Sequence, residues 1–360
     1  MSRNPLPDAH TANPGDAAAV PPLLSPYPFR INPSLDALDD HNVRRGLQLY
    51  RSTSDPVFQK YQGEAYAKLV AYLYPTARLE ELTVAHDIRL LLGCADDFFG
   101  HPSLIADRAL MSKSIDQLLG VLADPDIAPT PPSHGALAQL TAMVWRGLLP
   151  VTSPSWRARL AAHLEEWFES FLWEADNLRD GTALSEETYK EGRRRTVAMD
   201  ISLDLVDLAE HTSLPAAVTG SRIYRAYRDA VTESTIASAD LGSLRKELET
   251  SDPHNLVLVV QNEYRITLQQ AVDYVWAHLT SQLRCAQERQ RMLLDFFPQH
   301  AEPLRRSCEA TGSFLSGWIH WHAEWSRSPD LRPICLVPHL DPQEDAAHPH
   351  TPVVRPLAEE

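Results

Sequence analysis

The side chains best suited to chemistry begin with Asp96 and Asp97, adjacent carboxylates in the segment Ala95-Asp96-Asp97-Phe98-Phe99-Gly100. They close an apolar helical stretch that places Leu91 and Leu92 just before them. Carboxylates in so apolar a frame are costly unless something compensates their charge. Magnesium would do so: it is a hard cation that takes oxygen ligands, often one or two carboxylates together with substrate phosphates and waters. The plain alternative is a solvated helix end, because an Asp-Asp pair on its own is common. The formal charge of -15 excludes a non-specific DNA or polyphosphate partner, whose binding rests on clustered Lys and Arg. A diphosphate can still be held locally on such a chain if metal ions sit between the two.

A second segment, residues 236–249 (IASADLGSLRKELE), follows far downstream. With the Asp-Asp segment it resembles the pair of motifs carried by class I terpene synthases: an aspartate-rich motif, then Asn-Asp-Leu-x-Ser-x-x-x-Glu. Here the second motif reads from Ala239 through Asp240, Ser243 and Lys246 to Glu247. The continuation DPHNLVLVVQNEYR also resembles the family, and the likeness spans residues 29–335. One departure is Ala239, which stands where the family has a ligating Asn or Asp. On a helix, Asp240, Ser243 and Glu247 share an arc of about 60°. The expectation is that Asp240 supplies the missing oxygen beside Ser243 and Glu247; the alternative is a site with fewer or weaker metals. Lys246 stands where the family contacts diphosphate, or else is a surface lysine.

Residues 189–199 (YKEGRRRTVAM) resemble the family's Tyr-x-x-x-Arg-Arg-x-Thr segment, in which an arginine senses the diphosphate. Guanidinium suits that role because its planar fork meets phosphate oxygens bidentately and stays charged. Spacing to the next small residue favours Arg194 as the sensor, with Arg193 second, and makes Val197 and Ala198 the positions that break the helix and present a carbonyl. The family usually has glycine where this chain has Ala198. Three consecutive arginines are otherwise a solvated face. Residues 316–326 (SGWIHWHAEWS) resemble the family's last helix, with Trp318, Trp321 and Trp325 on one side. Aromatic faces stabilise cations without acting as nucleophiles, although ordinary core packing is the commoner use of such spacing. Trp321 replaces a small residue, which implies a reshaped or smaller cavity. His320 and His322, two apart, point in different directions and are discounted as metal ligands. The family then carries an Arg-Tyr pair; this chain reads SRSPDLRPICL, leaving Arg332 without the tyrosine.

The elements that must position these groups are helices. Residues 80–92, 156–178, 198–208, 237–248 and 267–293 carry helix-period apolar stripes, and alternating strand patterns are hard to find. Joints fall at residues 123–135 and 251–255. Residues 1–28 and 337–360 are rich in proline and poor in large apolar side chains, as expected of tails flanking one domain over 29–336. Cys94, Cys285, Cys308 and Cys335 lack paired spacing and read as reduced thiols of a cytoplasmic protein. The longest aliphatic run, residues 256–260, is too short for membrane insertion.

The resemblance implies an all-α, single-domain helical bundle with a central active-site cavity. It implies three magnesium ions, or fewer where Ala239 withholds a ligand, held by Asp96, Asp97, Asp240, Ser243 and Glu247. Arg193, Arg194, Lys246 and Arg332 would neutralise a prenyl diphosphate, and Phe98, Phe99 and Trp318 would stabilise the resulting cation near Ala198. Farnesyl diphosphate is the expected substrate, with geranylgeranyl diphosphate close behind. Dimers are frequent in the family, so the resemblance leaves a homodimer open, and the sequence does not fix the oligomeric state. A prenyl-diphosphate binder without turnover, and a helical interaction protein with no small ligand, are the readings from other classes.

Overall fold

The computed structural model describes residues 18–53, 64–124, 136–181, 183–250 and 252–325, with the side chains of 50–53, 64–65 and 325 excepted. Among the described residues every regular element is a helix. The chain order opens with α1 (Leu35–Thr53), α2 (Glu64–Leu73), α3 (Leu79–Phe99), α4 (Pro102–Ala106), α5 (Arg108–Ala123), α6 (Ala136–Leu148) and α7 (Pro154–Asp180). It continues with α8 (Glu186–Thr196), α9 (Met199–Ala209), α10 (Ala216–Thr219), α11 (Arg222–Thr250), α12 (Leu256–Tyr264), α13 (Leu268–Phe296) and α14 (Ala301–Trp325). No helix among the described residues is long and apolar enough to cross a membrane.

Local chemistry sets many of the boundaries. Asp107, Ser153, Ser185 and Asn255 each accept a hydrogen bond from a first-turn amide of the helix they precede, and Thr267 with Gln270 forms a capping box on α13. Each such cap contributes about 1 kcal/mol. The stripe over 237–248 proves to be the second half of the 29-residue α11. Its buried hydroxyls do not break it, because Ser234, Thr235 and Ser238 bond to the carbonyls of Ala230, Val231 and Ser234 one turn back.

Two groups of helices face each other. On one side α3 packs against α1, α2, α6 and α9; on the other α11 packs against α12, α13 and α14. The second group closes on the first where α14 lies along α2. That crossing needs Gly317, since a Cβ there would lie 2.1 Å from the Tyr72 carbonyl oxygen. Asp87 fastens α1 to α3 through His41 and Arg45, and these partners more than offset burial to hold its carboxyl well below the usual range.

Residues 18–28, assigned by composition to the tail, lie against the bundle. Ala19 N donates to Gln269 Oε1 at 2.8 Å, Ser316 Oγ donates to Tyr27 O at 3.0 Å, and Phe29 stacks on His320 at 3.8 Å. Few apolar side chains are needed, because the backbone finds partners on α13 and α14. Residues 1–17 and 337–360 lie outside the described residues.

Candidate active site

Asp96 and Asp97 occupy the last turn of α3, as the sequence indicates. Asp96 is exposed to solvent, yet desolvation raises its pKa, a combination expected of a carboxylate facing a concave space. Lys246 and Arg193 oppose that rise and Asp252 adds to it, so charges from α11, α8 and the α11–α12 joint all converge on Asp96. Asp97 is pushed up to about 7, by burial first and by the Asp96 charge second. Its Oδ2 is buried and has no hydrogen-bond partner among the described residues. A buried, orphaned carboxylate oxygen beside a second carboxylate is the donor set that a hard divalent cation satisfies.

On α11, Ser243 and Glu247 lie one turn apart. Ser243 Oγ lies 2.9 Å from both Glu247 Oε2 and Ala239 O, and Asn255 Nδ2 also donates to Glu247. Burial, then the charge of Asp240, pushes Glu247 up to about 7. Ala239 is buried and offers no side-chain oxygen. Asp240 does not replace it. It is 0% exposed, and both its oxygens are engaged: Oδ2 accepts from Tyr189 OH at 2.7 Å and Leu256 N at 2.9 Å, and Oδ1 accepts from Arg193 Nη2 at 3.2 Å. The expected helical arc is real, but long-range partners claim the carboxylate as the anchor that holds α8 and the start of α12 on α11.

The arginines divide by rotation about α8. Arg193 faces the carboxylates: burial works against its charge, but Tyr189, Asp240, Glu174 and Glu247 around it raise its pKa. Arg194 points elsewhere, to Asp229 and Glu233 on α11 at 2.8 and 2.9 Å. Glu233 lies ten residues, about 15 Å, up that helix from Ser243. Arg193, and not Arg194, therefore faces these carboxylates, because one step along a helix turns a side chain by about 100°. The helix does break beyond it. Ala198 sits in the left-handed region at φ 54°, between α8 and α9, and the flanking carbonyls of Thr196 and Ala198 accept from Trp167 Nε1 and Ser202 Oγ.

The aromatic residues also divide. Phe98 is half-buried, whereas Phe99 is 1% exposed and stacks on Phe171, inside a cluster with Phe168 and Trp167. Phe99 is thus packed in the core. Trp318 keeps accessible surface, stacks on Phe314 and meets the His322 ring at a tilt of 58°. His322 is packed against Gly242, and burial together with the Arg193 charge pushes its pKa down to about 3, leaving a neutral ring. Lys246 is exposed, close enough to oppose the pKa rise at Asp96 and Asp97. Arg332 and the Trp325 side chain lie outside the described residues.

Sequence reasoning missed Glu174, Asp252 and His254. Glu174, an acid on the apolar stripe of α7, has a pKa raised by burial and senses His254, Arg193 and Asp96. Its position between Trp173 and Ala175 was the available signal. A groove of about 450 Å³ beside Arg222, Arg225 and Asp229 shares no residue with this cluster.

Comparison with known proteins now bears directly on this cluster. The family model described as "Terpene synthase family 2, C-terminal metal binding" matches residues 87–285, a span that contains every carboxylate above. The chain belongs to the terpene synthase family. It is 28% identical over 306 residues to 10-epi-cubebol synthase of Sorangium cellulosum, covering 85% of this chain and 93% of that one. It is 26% identical over 305 residues to (+)-T-muurolol synthase ((2E,6E)-farnesyl diphosphate cyclizing) of Roseiflexus castenholzii, covering 84% and 91%. In fold it is similar to germacradien-4-ol synthase from Streptomyces citricolor, with a TM-score of 0.70 and 21% identity over 84% of this chain and 98% of that one. This terpene synthase therefore has the all-α fold of its relatives, with its carboxylates in the part of the chain that the family uses to bind metal.

Proposed function

We propose that this terpene synthase ionises farnesyl diphosphate with magnesium held between the ends of α3 and α11, and releases diphosphate with a terpene hydrocarbon or alcohol. The observation that carries the reading is that Arg193 of α8 acts on both Asp96 of α3 and Glu247 of α11, with Lys246 of α11 acting on Asp96 and Asp97. The substrate named for the (+)-T-muurolol synthase supports the fifteen-carbon choice.

Asp96, Asp97, Ser243 and Glu247 are the oxygen donors that would hold magnesium, and Ala239 leaves the α11 side one ligand short. Bound magnesium neutralises the diphosphate and lowers the barrier to its departure. Arg193 and Lys246 bind phosphate oxygens and stabilise the charge that grows on them as the C–O bond breaks and its electron pair leaves with diphosphate. The surrounding helices exclude water, which would otherwise capture the allylic cation as a linear alcohol. Phe98 lines the mouth of that space.

A second reading, a prenyl-diphosphate binder without turnover, is favoured by one observation: Ala239 has no ligating atom and Asp240 is engaged elsewhere. Incubation with ten-, fifteen- and twenty-carbon prenyl diphosphates plus magnesium, followed by gas chromatography–mass spectrometry, separates the two. A magnesium-dependent product from the fifteen-carbon substrate, lost in Asp96→Ala, supports synthesis. Binding of all three without product supports the second reading, and a product from the twenty-carbon substrate alone corrects the chain length.

A further inference from the structure

One buried charge has no place in the scheme above. Arg89 on α3 is 6% exposed, and its Nε has no hydrogen-bond partner among the described residues. Its Nη2 donates to Ser202 Oγ at 2.5 Å, and its Cζ lies 5.6 Å from the ring centroid of Trp318 and 5.8 Å from that of Phe314. The buried acids of the neighbouring helices are paired elsewhere: Asp204 with Arg159 and His163, Asp87 with Arg45 and His41. A buried guanidinium held by the hydroxyls of Ser202 and Tyr74 and by two aromatic faces, with no carboxylate partner among the described residues, is an expensive feature for packing alone.

Its position says what it does. Arg89 lies seven residues before Asp96, which on a helix is about 20° from the same face and about 10 Å deeper. On α14 a row of ring contacts runs from His322, packed against Gly242 beside Ser243, through Trp318 to Phe314. Arg89 meets this ladder at its deep end, opposite the metal-binding end.

We infer that Arg89 is a specificity-determining residue at the floor of the cavity, where it occupies the Trp318 and Phe314 faces and fixes a positive charge behind the distal end of the prenyl chain. Those faces are then already committed to a cation and do not serve a carbocation. Positive charge on the substrate is disfavoured near the floor and confined to the diphosphate end, so the cation is quenched early, as acyclic or singly cyclised product. This inference rests on the prenyl-diphosphate reading.

The test compares two magnesium-dependent ligands by calorimetry: a prenyl diphosphate analogue with an ammonium in its distal isoprenyl unit, and its neutral isostere. The wild type is expected to bind the neutral compound at least tenfold more tightly. Arg89→Met, or Arg89→Gln if the first does not fold, removes that preference, and Arg89→Lys keeps it. In turnover, the neutral variants shift product toward polycyclic compounds by at least threefold relative to the wild type and Arg89→Lys. Equal wild-type affinity for the two analogues overturns the inference and leaves the prenyl-diphosphate reading standing. So does an unchanged product pattern in a folded Arg89→Met. Failure of both analogues to bind overturns the reading and the inference together.

Discussion

At the scale of residues, the division of labour between Arg193 and Arg194 gives the sharpest consequence. Arg193→Ala should lower kcat/KM by about 100-fold or more, because it removes a partly buried cation facing the departing diphosphate. Arg194→Ala should cost less than about fivefold, since its half-exposed ion pairs lie on another face. Steady-state kinetics on both variants decides between them. The carboxylates make a second prediction. An acid whose folded pKa lies above its unfolded value withdraws stability as pH rises between the two values. Asp97 and Glu247 are both pushed up to about 7 from an ordinary value of about 4. The protein in chelator should therefore melt about 2–4 °C lower at pH 8 than at pH 6. Magnesium with diphosphate should restore more at pH 8, because the metal replaces the proton. Scanning calorimetry at the two pH values checks both signs.

These residues also show how much of the site was legible in the sequence. Asp96, Asp97, Ser243 and Glu247 were picked out by their resemblance to the family's two motifs, and helical spacing adds that Ser243 and Glu247 share a face. The fate of Asp240 could not, because Tyr189 and the Leu256 amide reach it from 51 and 16 residues away. Arg193 and Arg194 are chemically identical, and only the rotation of α8 separates them. Phe98 and Phe99 differ in the same way, by which neighbour faces α7. Arg89 did leave a trace, a lone cation in the apolar run between Ile88 and Leu92, but only the packed helices reveal the rings above it.

At the scale of elements, the break between α8 and α9 and the cap of α12 hold the site open. Ala198 adopts φ 54°, which costs a non-glycine residue about 1 kcal/mol. Ala198→Gly should leave stability unchanged or raise it by up to about 1 kcal/mol, whereas Ala198→Val should lower it by about 2 kcal/mol. Denaturant titration distinguishes them. Asn255 does three tasks: Oδ1 accepts from Val257 N to cap α12, and Nδ2 donates to Asp240 O and to Glu247. Asn255→Ala should cost about 2–3 kcal/mol and weaken magnesium dependence, because a cap and the orientation of Glu247 are lost at once. The helices themselves were legible from apolar period and capping residues. The extent of α11 was not, because its buried Ser and Thr side chains satisfy themselves on the helix and look polar only in sequence.

At the scale of the whole molecule, the α3 and α11 groups each bring acids to Arg193, which acts on Asp96 and on Glu247, and a metal held by both sets would tie the groups together. Residues 18–33 strap the same assembly, with Asn32 Nδ2 donating to the carbonyls of Tyr74 and Ala77 at 2.8 Å. The composition of this stretch hid its role, since its anchors are backbone groups, one asparagine and two aromatic rings. The central claim is that the ends of α3 and α11 clamp a metal–diphosphate unit, with Arg193 as its arginine. A crystal structure with magnesium and inorganic diphosphate tests it most directly. The account predicts metal between Asp96 or Asp97 and the Ser243–Glu247 pair, Arg193 on a phosphate oxygen, and Asp240 still bonded to Tyr189. Diphosphate bound on Arg194, or a metal ligated by Asp240 with Ser243 and Glu247 left free, would contradict it.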